Sequence, residues 1–151
     1  MLILAGCAPR PVQEQIDSSL PLSNSPPIDL NAALLRAKSE NKLVLLDFNG
    51  TDWCVPCIQL RDEVFAQPEF QSYAGSNLVF LAVDFPLKYR LSNEANATND
   101  FLAAKFGVSG FPTLVALDGD GNKLWQQDGF DAGDGPRKWI ATLDSLKSKL
   151  K

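Results

Sequence analysis

With 151 residues, 45% of them hydrophobic and 21% charged, the chain has the size and composition of one soluble globular domain with a tail. Its 14 basic and 18 acidic residues leave a net charge of -4 with no run of Lys or Arg to follow a phosphate backbone, which argues against nucleic acid as a partner. Histidine is absent, so Ser-His-Asp and Cys-His nucleophiles and the imidazole ligands of zinc are excluded, and the chemistry left to consider is that of three cysteines, Cys7 near the start and Cys54 with Cys57 in mid-chain.

The first seven residues are apolar and end in Leu4-Ala5-Gly6-Cys7, which resembles the lipobox at which bacterial lipoprotein signal peptides are cut. That resemblance implies a lipid on Cys7 and attachment to a membrane through it. The basic n-region and the full apolar h-region of about 7–15 residues are missing, as in a chain whose recorded start is late or trimmed. The alternative is a chance apolar N-terminus with an idle cysteine. Residues 8–28 carry Pro9, Pro11, Pro21, Pro26 and Pro27, half of the chain's 10 prolines, among Ser, Gln and Asn without helical or strand period. They read as a spacer or as an end without a duty, and no segment approaches the apolar length that spans a bilayer.

The folded domain is expected from residue 29 to 151. Asp29 suits an N-cap, and Leu30, Ala33, Leu34 and Ala37 follow at helical spacing toward Asn41. Leu43 to Phe48 is an apolar run of strand length that suits a central strand covered on both faces. The Asn49-Gly50-Thr51-Asp52-Trp53-Cys54-Val55-Pro56-Cys57 segment then leads into a helix with Ile58, Leu60, Val64 and Phe65, which places the cysteine pair where a strand turns into a helix. A second strand, Leu78 to Phe85, precedes a polar connection from Pro86 to about Asn96 and a helix around 101–106 closed by Gly107. After Gly110-Phe111-Pro112-Thr113, two strands at 114–117 and 123–127 flank Asp118-Gly119-Asp120-Gly121-Asn122, a hairpin signal. Pro136 fits a helix N1 position, and Trp139, Ile140, Leu143, Leu146 and Leu150 mark one face of a last helix.

This element order, Trp53-Cys54-Val55-Pro56-Cys57 and the later Gly110-Phe111-Pro112-Thr113 together resemble the thioredoxin superfamily from about residue 29 to the end. Within it, Phe48 to Cys54 and Val83-Asp84-Phe85-Pro86 look most like the DsbH-like periplasmic thiol-disulfide oxidoreductases. The resemblance implies an α/β fold with a central mixed sheet flanked by helices and an extended connection before a cis-proline. It implies a monomer without cofactor in the bacterial periplasm or cell envelope, acting on disulfide-containing exported proteins and recharged by a membrane thiol electron donor. It also makes Phe111 and Pro112 a substrate-binding edge, and it makes Asp47 a buried acid that assists proton transfer, although one extra residue separates Asp47 from Trp53 here.

The chemistry of the pair follows from its place at a helix start. Unsatisfied N–H groups and the positive end of the helix dipole stabilise a thiolate at Cys54 and lower its pKa below the free value of about 8.5. Cys54 is then the nucleophile, exposed to partners, and Cys57 is the more protected residue that resolves the mixed disulfide. Pro56 restricts the first turn, where a missing N–H costs little. Trp53 covers one side of the pair or is an aromatic that packs against the domain.

Other readings stay open: a structural disulfide, a metal half-site lacking two ligands, and a non-catalytic thioredoxin-fold module that binds a partner protein or a metal ion. Asp47 has its own alternative, a strand-end acid that is solvated or caps a turn. Asp118, Asp120 and Asn122 begin like a calcium loop, but Lys123 and Gly129 stand where the required Gly and Glu belong, so no metal is expected. Val55-Pro56 places no cation between the cysteines, and the expected direction is therefore reduction or isomerisation, with a potential nearer about -270 mV than the about -120 mV of a strong oxidant.

Overall fold

The computed structural model describes residues 21–150 except Asn24; Cys7, the lipobox-like segment and most of the 8–28 spacer lie outside the described residues. Helix α1 (Leu30–Glu40) starts where the Asp29 carboxylate accepts from the Ala32 N–H at 2.9 Å, and it ends at Asn41 in the left-handed region, φ 53°. Strand β1 (Leu43–Asn49) is buried along its whole length. Helix α2 (Val55–Leu60) runs into a π-turn at Arg61–Phe65, closed by the Ala66 N–H on the Arg61 carbonyl at 2.7 Å. Helix α3 (Pro68–Asn77) leads directly into strand β2 (Leu78–Asp84). Helix α4 (Asn93–Phe106), strands β3 (Thr113–Leu117) and β4 (Lys123–Asp128) and helix α5 (Gly135–Lys147) complete the chain.

The sheet order is β2-β1-β3-β4, with β1 parallel to β2 and antiparallel to β3, and β3 antiparallel to β4. Alternation along β1 sends Val44, Leu46 and Phe48 to one face, where α1 and α4 cover them through Ala33, Ala37, Leu102 and Phe106. Leu43 and Leu45 point to the other, packed under Leu60, Val64, Phe70, Trp139 and Leu143 of the α2, α3 and α5 layer. This is the thioredoxin fold, a mixed four-stranded sheet between two helical layers.

Two elements differ from the sequence reading. It does not include α3, although Pro68 stands in a first turn and Phe70, Tyr73 and Ala74 recur at helical spacing. Helix α4 begins at Asn93, not near residue 101, with the Ser92 hydroxyl accepting from the Ala95 N–H at 3.1 Å. Its buried stripe is Ala95, Asn99, Leu102 and Phe106, and the polar Asn99 breaks the apolar period. Asn99 is buried because its amide donates to the Asp84 carbonyl at 2.8 Å. The extended connection therefore shrinks to residues 85–92. Part of it pairs with the segment before α1, where Leu22 and Arg90 form a parallel bridge.

The β3–β4 turn is held by one carboxylate: Asp118 accepts from the N–H groups of Asp120 and Asn122, each at 2.9 Å, and from the Asn122 amide at 2.8 Å. The side chain that looked like a first calcium ligand is thus a turn staple. Among the described residues no group of three or more His, Cys, Asp or Glu is placed to hold a metal ion.

Candidate active site

After β1 the chain turns through Gly50 to Trp53 and reaches Cys54, whose N–H donates to the Gly50 carbonyl at 2.8 Å. Cys54 is the N-cap of α2 and Pro56 lies in its first turn. The two cysteines are joined, Sγ to Sγ, at 2.06 Å, and the Cys57 N–H donates to Cys54 Sγ at 3.3 Å. An N–H aimed at that sulfur stabilises negative charge on it once the bond is reduced. The expected contrast in burial is not present in this oxidised state, with Cys54 4% and Cys57 6% exposed, because the bond draws both sulfurs into one site. What separates them is their surroundings. Cys54 lies between the exposed side chains of Trp53 and Val55, whereas Cys57 lines a cavity on the α2 side of the sheet.

Trp53, next to Cys54 in the chain, meets Phe111, the residue before Pro112. Trp53 is 41% exposed, donates from Nε1 to the Phe85 carbonyl at 2.7 Å and meets Phe111 edge-on at 5.9 Å. Phe111 stacks on Phe85 at 5.0 Å, and the Phe111–Pro112 peptide bond is cis. The Thr113 hydroxyl donates to the Gly110 carbonyl at 2.8 Å and fixes the turn. Gly50 is required by this arrangement, since a Cβ there would stand 2.4 Å from the Trp53 indole.

Asp47 lies on the face of β1 that looks toward α2 and lines a cavity of about 190 Å³ together with Asn49, Thr51, Cys57, Ile58, Arg61, Phe65, Phe80 and Ala82. The extra residue before Trp53 has not turned Asp47 away, because the strand continues to Asn49 and the added length falls in the turn. Ala82 stands opposite Asp47 in the β1–β2 register, and its small side chain leaves room there. Burial pushes the Asp47 carboxyl from 3.8 up to about 6; the Asn49 amide opposes that shift, and the Asp84 charge adds to it. Oδ2 accepts from Asn49 Nδ2 at 2.7 Å, while Oδ1 is buried with no protein partner.

The sequence reading missed the residues that tie this site together. Asn49 follows Asp47 by two, so a period of two puts both on one face; that signal was present in the sequence. Asp84 accepts from the Thr51 N–H at 2.8 Å, the Thr51 hydroxyl at 2.9 Å and the Tyr89 hydroxyl. Asp52 accepts from the N–H groups of Leu87 and Lys88 at 3.0 and 2.6 Å. These bonds fasten the 85–92 connection to the turn that carries Cys54, and no local pattern announces them, since apart from Tyr89 on Asp84 the partners stand more than 30 residues apart.

A thioredoxin-like domain family model matches residues 30–143, and the chain belongs to that family. It is 38% identical over 119 residues to the disulfide bond reductase DsbH of Chlamydia pneumoniae, across 79% of this chain and 69% of that protein. To the thiol:disulfide interchange protein DsbD 2 of Pseudomonas aeruginosa it is 33% identical over 127 residues, 82% of this chain but only 20% of that much longer protein. A solved structure of a DsbH oxidoreductase superposes with a TM-score of 0.73 at 30% identity, over 94% of this chain and 96% of that one. With its disulfide-linked Cys54-Cys57 pair the protein is a thiol-disulfide oxidoreductase.

Proposed function

We propose that the protein reduces or isomerises disulfides of exported proteins in the bacterial periplasm or cell envelope, held to a membrane by a lipid on Cys7. The observation that carries the reading is the Cys54–Cys57 bond at the start of α2, with Cys57 and the buried Asp47 lining one cavity. In the reduced enzyme the Cys54 thiolate attacks one sulfur of a partner disulfide, forming a mixed disulfide and releasing the other sulfur as thiolate. Cys57 gives its proton to the Asp47 carboxylate and its thiolate then attacks Cys54 Sγ. The partner leaves as a dithiol and the enzyme holds the disulfide. Two electrons have passed to the partner, and a membrane dithiol donor restores them by the reverse exchange. Phe111, Pro112 and Trp53 form the edge on which the partner segment lies, and no cofactor takes part.

Insulin reduction with dithiothreitol tests the activity: Cys54→Ser abolishes turnover, and Cys57→Ser accumulates mixed disulfide. Turnover that persists without Cys54 would return the protein to the class of binding modules. Equilibration with glutathione buffers tests direction, since a potential more oxidising than about -180 mV is that of an isomerase or oxidant rather than a reductase. For the anchor, the full-length gene product with Cys7→Ser is expected to leave the membrane fraction.

A further inference from the structure

Asn49 has no place in the scheme above, yet it is 4% exposed and gives both hydrogen bonds of its amide nitrogen to one neighbour, while its own Oδ1 is buried with no protein partner. Nδ2 donates to Asp47 Oδ2 at 2.7 Å and to the Asp47 carbonyl at 3.2 Å. Those two acceptors fix the amide orientation, because a flipped amide would set its oxygen against a carboxylate and a carbonyl. The consequence is asymmetric. One Asp47 oxygen is occupied, and the other, Oδ1, is buried without a protein partner beside the cavity that Cys57 also lines.

We propose that Asn49 is a positioning residue for the resolving step: it holds Asp47 by Oδ2, leaving Oδ1 to take the Cys57 proton, and it keeps Asp47 ionised. This rests on the reading of Asp47 as the proton acceptor. The proton moves from Cys57 Sγ to Asp47 Oδ1, the Cys57 thiolate forms the bond to Cys54 Sγ, the partner sulfur leaves as thiolate, and the proton later escapes to solvent. Without the Asn49 donor the carboxylate loses a charge-assisted hydrogen bond in a buried site and holds its proton to higher pH.

The other groups facing Asp47 do not substitute for Asn49. On β2 Ala82 stands opposite, and the charged group is Asp84, the register partner of Asn49, whose charge acts in the opposite sense. From α2 come Cys57 and Ile58, and from β3 the apolar Leu114. Arg61 of the π-turn lines the cavity, but its guanidinium is half exposed and paired with Asp62 at 2.8 Å.

The test is stopped-flow resolution of a peptide mixed disulfide on Cys54, followed against pH in the full chain. Asn49→Leu is expected to move the acid limb up by about one pH unit, which is roughly fivefold in rate at pH 6 and approaches about tenfold well below it, and to leave Cys54 attack on a small disulfide unchanged. In an Asp47→Asn background the same substitution is expected to move nothing. Asn49→Ser, with Asp47 followed by carboxyl-carbon NMR, gives the same readout if the leucine variant does not fold. An acid limb that stays in place, or a shift that persists in the Asp47→Asn background, overturns the role of Asn49. An acid limb unaffected by Asp47→Asn alone overturns the reading of Asp47 instead.

Discussion

The two faces of β1 are built from the same strand and end differently. Val44, Leu46 and Phe48 keep their face apolar to the last residue, closed by α1 and α4. On the opposite face Leu43 and Leu45 give way to Asp47 and Asn49 just where α2 begins, and a cavity opens there. Close packing with no polar group is what stability favours, and the second face departs from it only over the two positions nearest the cysteines. A strand buried on both sides thus separates an apolar face that holds the fold from a polar end beside the cysteines by alternation alone.

The sharpest way to break that contrast is to damage the closed face. Phe48 is fully buried and meets Phe106 edge-on at 6.3 Å, so Phe48→Ala is expected to cost about 3–5 kcal/mol in chemical unfolding. In whatever fraction remains folded, the pH at which resolution falls off should match wild type. A displaced pH profile would mean that the two faces are not independent.

The next effect has the opposite sign. Because the folded Asp47 carboxyl titrates at about 6 and the free value is 3.8, the folded state keeps a proton that the unfolded state has lost between those values. The contribution of Asp47 to stability is therefore fully present below about pH 4 and is lost as pH rises through about 6. Asp47→Asn removes the buried charge while keeping the shape. It is expected to stabilise the protein at pH 7 by about 2–3 kcal/mol, flatten stability across that window and slow resolution. Denaturant melts from pH 4 to 8 check it, and a variant no more stable than wild type at pH 7 would show that the site is not strained by ionisation.

How much of this was legible in the sequence depends on how local the signal is. The β1 run, the Cys54-Cys57 spacing, the Asp118 to Asn122 turn and the α5 stripe each lie within one short window, and each is found where the pattern places it, save that α5 ends at Lys147 and Leu150 packs from beyond the helix. Helix α4 was half hidden because Asn99 sits in its apolar stripe, and only the Asp84 carbonyl, 15 residues earlier, makes that burial tolerable. Asn49 could have been found from its spacing to Asp47. The hold of Asp52 and Asp84 on the turn and the 85–92 connection could not, since a carboxylate gives no hint of which distant N–H it accepts from.

The smallest expected effect probes the aromatic edge outside both faces. Gly50→Ala would place a methyl group 2.4 Å from the Trp53 indole, so the ring must swing and its bond to the Phe85 carbonyl is lost. A single such hydrogen bond is worth about 1 kcal/mol, and the melting temperature should fall only slightly. The larger change is in shape, because Trp53 also supports Phe111, which precedes the cis-proline. If that edge carries the partner segment, Gly50→Ala raises KM for a protein disulfide, leaves the rate with a small disulfide unchanged, and shifts Trp53 fluorescence toward that of a solvated indole. Equal loss with both substrates would place the damage at Cys54 itself, since a small disulfide needs the thiolate and has no use for the edge.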